Sequence, residues 1–210
     1  MIRVFEVLLY PEERQPRGSD PGPFADHRSY KPHLQRKFRR KCVYCRVSDG
    51  IKGYEGFGVD HYLPRSKFPA FALAWSNLFY ACNVCNSWKG DSVSVPDLFL
   101  PNPCGHRMAD HLQYSGGEIE AYTPHGEWLK ELLHLDERSS LREFILSALG
   151  KFLIARNELV RDLITLESRL DDRSSEDPGA FHAAILETVE ELERVDRQIE
   201  CLTGEPVTWR

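Results

Sequence analysis

The stretches Cys42-Val43-Tyr44-Cys45 and, 36 residues further on, Cys82-Asn83-Val84-Cys85-Asn86-Ser87-Trp88-Lys89 decide how this chain is read. Each CxxC turn presents two thiolates, and two such turns complete a tetrahedron of soft ligands around one ion. In a reducing compartment this pattern points to metal rather than to disulfides. The ion it suits is structural zinc, because four thiolates close its coordination and leave no position open for a substrate. The remaining cysteines, Cys104 and Cys201, have no partner at ligand spacing and read as incidental thiols.

Asp60-His61, Pro64 and Asn77 stand between the two pairs, and Asn86 and Lys89 follow the last cysteine. Together with the CxxC pairs these residues resemble the HNH endonucleases, also called ββα-metal or His-Me finger nucleases. Members of that family show a DH pair, an Asn in the following segment and a CxxCN-x-x-K ending, which here cover about residues 40 to 91. The resemblance implies an α+β fold with a zinc-stabilised ββα-metal core and phosphodiester hydrolysis. His61 is then the general base, since a neutral imidazole takes a proton well near neutral pH. Asp60 and the amide oxygen of Asn86 are hard donors suited to a catalytic Mg²⁺ or Mn²⁺. Asn77 falls to a supporting role, orienting the imidazole or tying down the loop, and Lys89 to a phosphate contact. Adjacent strand side chains face opposite sides, so strand twist and the following loop must bring Asp60 and His61 to one site. The rival reading is a zinc-knuckle module that grips nucleic acid without cutting it, or an adaptor. The other histidines, including His27, His33, His106, His111 and His125, fall on no comparable spacing and read as structural or surface groups.

A formal net charge of −5 looks wrong for a nucleic-acid enzyme until it is divided along the chain. Residues 1 to 100 hold 15 Lys+Arg against 10 Asp+Glu, and residues 101 to 210 hold 12 against 22. From Arg28 to Arg46 there are eight basic residues and no acid, a run leading straight into the first CxxC. Within it Arg36, Lys37, Arg39, Arg40 and Lys41 are the expected nucleic-acid contacts, with DNA the expected substrate.

Turn formers fill residues 11 to 32, and Leu34 and Phe38 among basic residues predict a short helix over Pro32 to Arg40. Extended runs are expected at 56 to 63 and 78 to 81, then a short helix over Asn86 to Lys89 stopped by Gly90. A small β extension with turns at Gly116-Gly117 and Pro124-His125-Gly126 comes next. Apolar residues at helical spacing from Leu141 to Leu170 and from Phe181 to Ile199, broken over 174 to 179, predict a helical hairpin. The expected organisation is an arm (1–31), a nuclease core (32–102), a β extension (103–137) and a C-terminal helical hairpin (138–210).

The run Glu118 to Glu127, then Leu132-Leu133-His134-Leu135-Asp136 and a long helix with Arg156, is similar to the tail of one HNH branch. That branch comprises the small nuclease subunits of Septu-type and retron-associated antiviral systems, which work beside an ATPase. The resemblance implies a defence role and an ATPase partner docked on the acidic C-terminal helices. Val4 to Tyr10 is too short and too interrupted for a secretory signal or a membrane span, so a cytoplasmic location is expected.

Overall fold

The computed structural model describes residues 8–115, 117–171 and 178–207. Residues 174–177 of the break expected over 174–179, and Gly116 of the expected Gly116-Gly117 turn, lie outside them, and Pro178 and Gly179 instead open the last helix. The chain is a mixed structure of helices and three small two-stranded antiparallel sheets.

A 3₁₀ turn (His27–Tyr30) runs into α1 (Lys31–Lys37), then the first CxxC and α2 (Asp49–Lys52). Strand β1 (Phe57–His61) pairs with β2 (Leu78–Cys82), and α3 (Asn83–Lys89) follows with no linker. This is the ββα unit. Its register sets Phe57 opposite Cys82, Asp60 opposite Phe79 and His61 opposite Leu78. All five β2 residues are buried, as a strand covered on both faces requires, while β1 leaves the His61 end half open. The Phe57 and Tyr80 rings stack at 4.8 Å across the pair.

Two further hairpins follow, β3 (Ser94–Val95) with β4 (Leu98–Phe99) and β5 (Leu112–Ser115) with β6 (Glu118–Ala121). The expected turn at Pro124 is instead the start of α4 (Pro124–Leu132). Thr123 caps it by accepting from the Gly126 N–H, and Pro124 sits in the first turn, where no N–H is needed. The Pro and Gly that suggested a turn are a helix-start signal here.

Helices α5 (Ser139–Asp171) and α6 (Pro178–Thr203) pack on one another, with Leu149, Val195, Ile199 and Leu202 buried between them and the core. They are not a free appendage. Ile145 of α5 belongs to the cluster that contains the four knuckle cysteines. The end of α6 lies so close to α2 that a Cβ on Gly50 would sit 2.2 Å from the Cys201 carbonyl oxygen. The Cys201 thiol donates to the Gly50 carbonyl at 2.9 Å. Among the described residues no helix is long and apolar enough to cross a membrane.

Candidate metal centre and nuclease cleft

The Sγ atoms of Cys42, Cys45, Cys82 and Cys85 lie within 4.8 Å of one another, and all four residues are buried. The first pair sits in a turn closed by Cys42 N–H donating to Val47 O, with Arg46 forced to a φ of 62°. The second straddles the start of α3, where the Cys85 N–H points to Cys82 Sγ at 3.5 Å. Hydrogen bonds from the neighbouring thiols, Cys42 first, pull Cys82 down, whereas burial pushes Cys42 and Cys85 up. Around the cluster lie three buried arginines, Arg46, Arg138 and Arg142. Arg138 Nη1 donates to Cys85 Sγ at 3.1 Å, and Arg46 Nε and Arg142 Nη1 find no hydrogen-bond partner. Guanidinium groups buried beside neutral thiols would be uncompensated. A dication held by four thiolates carries a net charge of −2, which this surrounding suits, so the residues fit structural zinc.

At the His61 end of β1 a cleft of about 290 Å³ is lined by His27, Val59, Asp60, His61, Pro64, Arg65, Asn86, Gly90 and Asp91. His61 Nε2 lies 2.9 Å from Ala72 O. A carbonyl only accepts, so in the neutral ring Nε2 carries the hydrogen and Nδ1 keeps its lone pair. Asn77 makes that arrangement possible without touching the imidazole. Its Nδ2 donates to Leu63 O at 3.0 Å and Phe71 O at 3.1 Å, and its Oδ1 accepts from Leu63 N–H at 2.7 Å. It thereby ties both ends of the loop that presents Ala72.

Asp60 is buried. Its Oδ2 accepts from Tyr44 OH at 2.5 Å and its Oδ1 from Lys89 Nζ at 3.1 Å. Each carboxylate oxygen retains a further lone pair. Asn86 borders the same cleft from α3, one helical turn before Gly90. A carboxylate, an amide and imidazoles converging on one polar hollow are donors that fit a divalent cation.

Lys89 is not placed as a phosphate contact. Its ammonium is sealed from solvent and donates to Asp60 Oδ1 and, at 2.7 Å, to His61 O. The expected basic face also divides. Arg40 pairs with the buried Asp49 and with Glu200, Arg39 and Lys41 reach Glu205, and Lys41 is itself buried. The partners Glu200 and Glu205 lie some 160 residues away in sequence, which is why composition along the N-terminal run gave no sign of them. Arg36 is exposed and Lys37 half-buried, with no carboxylate paired to either among the described residues, and both line a second hollow with Arg17, Ser19, His33 and Trp75, while Arg39 stays largely in solvent beside Glu205. His27, read from sequence as a structural or surface group, lines this cleft with its ring 4.9 Å from that of His61. No spacing signal announced it, because it comes from the arm rather than from the motif.

A family model described as HNH endonuclease matches residues 42–92. Over 103 residues the chain is 29% identical to the Septu protein PtuB of Bacillus thuringiensis, a match covering 48% of this chain and 38% of that relative. The chain thus spans well under half the length of the curated relative it matches. No solved structure matches it.

Proposed function

For a chain carrying an HNH endonuclease domain over residues 42–92, we infer a metal-dependent endonuclease that hydrolyses nucleic-acid phosphodiesters, with DNA as substrate. The observation that carries this reading is the His61 imidazole, fixed through Nε2 to Ala72 O in the cleft that Asp60 and Asn86 share. Its Nδ1 takes a proton from a water molecule. The water oxygen bonds to phosphorus as the bond to the leaving sugar oxygen breaks. A divalent metal held by Asp60 and Asn86 would neutralise charge on the phosphoryl and leaving oxygens. Asn77 keeps the loop, and with it the His61 ring, in register. Arg65 at the rim and Arg36 and Lys37 beyond it are the cations offered to the phosphate backbone. The zinc knuckle anchors the start of α3 and so the position of Asn86.

The similarity to a Septu protein supports a place in an antiviral defence complex, with an ATPase subunit docked on α5 and α6. Those helices expose Phe144, Ile154, Ile164 and Leu186. A cytoplasmic location goes with that role.

The test is cleavage of supercoiled plasmid with Mg²⁺ or Mn²⁺, with and without an ATPase subunit, comparing wild type and His61→Ala at equal zinc content. Metal-dependent cutting lost in the variant supports the reading. DNA binding by both proteins with cutting by neither favours the non-cleaving zinc-knuckle module.

A further inference from the structure

His27 enters the cleft from outside the HNH match, carried on the 3₁₀ turn that precedes α1. Its surroundings are organised on both sides. Asp26 caps that turn, its Oδ1 accepting from the Arg28 N–H at 3.2 Å, and the same oxygen lies 3.0 Å from His27 Nδ1. A carboxylate oxygen so near one ring nitrogen favours the proton there, since two lone pairs facing each other at that distance would repel. The lone pair then belongs to Nε2. The ring is largely shielded, with 21% of its side chain exposed, and is held against the His61 ring at 4.9 Å with an interplanar angle of 57°. A carboxylate behind one nitrogen of an imidazole, in a cleft that an acid and an amide also line, is the arrangement by which proteins orient a metal-binding histidine.

We propose that His27 is a third protein ligand of the catalytic divalent metal, completing with Asp60 and Asn86 a set drawn from the arm, β1 and α3, and that Asp26 is its positioning residue. The inference rests on the nuclease reading above. It adds that the arm is part of the active site and that the metal preference is set there. A borderline nitrogen donor suits Mn²⁺ better than Mg²⁺, which prefers oxygen and keeps its water.

The experiment is a titration of the zinc-loaded full chain with Mn²⁺, followed by the loss of the free-ion electron paramagnetic resonance signal, alongside plasmid cleavage. The variants are His27→Ala, His27→Asp, Asp26→Asn and Asp60→Asn, each matched to wild type in zinc content and circular dichroism. Wild type should bind one Mn²⁺ that Asp60→Asn releases. His27→Ala and Asp26→Asn should each weaken it about tenfold or more. His27→Asp should restore binding and, in competition, move the preference toward Mg²⁺, a change that a merely structural role would not produce. Mn²⁺ affinity in His27→Ala equal to that of a wild type that cuts would overturn this inference and leave the nuclease reading standing. A wild type that neither binds Mn²⁺ nor cuts would overturn both.

Discussion

The Lys89 ammonium lies 3.1 Å from Asp60 Oδ1, with both side chains almost wholly removed from solvent at 0% and 2% exposure. One turn of α3 beyond Asn86 therefore neutralises the carboxylate on β1, and the pair joins helix to strand beneath the cleft.

In protein free of the divalent metal, replacing Lys89 with Met should strand a buried charge on Asp60, with Tyr44 OH still donating to it. Loss of one member of a buried pair costs about 3–5 kcal/mol. Urea denaturation of Lys89→Met against wild type measures this. A change under about 1 kcal/mol would mean that water reaches the Asp60 carboxylate.

Arg138 touches Cys85 Sγ at 3.1 Å and places its guanidinium 4.8 Å from the Trp88 ring centroid. Arg138→Leu should leave the thiolate cluster short of compensating charge and weaken zinc retention by about 10–100-fold. Zinc release to a chromogenic chelator reads the effect, and Arg138→Lys should recover only part of it, because an ammonium cannot reproduce the planar fork.

The division of the basic run predicts opposite effects on DNA affinity. Arg36→Ala and Lys37→Ala should each weaken binding and lower the salt slope by about one. Glu205→Gln removes the carboxylate facing Arg39 and Lys41, Glu200→Gln removes one of the two carboxylates facing Arg40, and both should strengthen it. Fluorescence anisotropy across a salt series distinguishes the two groups, and equal losses on both sides would contradict the division.

Acidification should loosen the region around Phe99. The rings of His106 and His111 lie 5.6 Å apart beside it, and burial holds both below the usual histidine range. A base with a lowered folded pKa binds fewer protons folded than unfolded, so stability falls as pH drops below about 6.5. The Asn102 N–H also donates to His106 Nδ1, and protonation removes that acceptor. Denaturation midpoints at successive pH values should show the fall in wild type and less of it in His111→Gln.

The cysteine spacing, the DH pair and the CxxCN-x-x-K ending determined the knuckle, the ββα order and the cleft residues on β1 and α3, because those elements are local and their ligands are fixed by the motif. Periodicity likewise placed α5 and α6. It did not place α4, whose Pro-His-Gly start reads equally as a turn until Thr123 is seen to cap it. Tertiary structure alone decided which charges are free. Lys89 is drawn under Asp60, Glu200 and Glu205 return to the basic run across the whole chain, and Asp26 and His27 are carried to His61. Long-range pairing of charges depends on which surfaces meet in the fold, and no local pattern of residues encodes that.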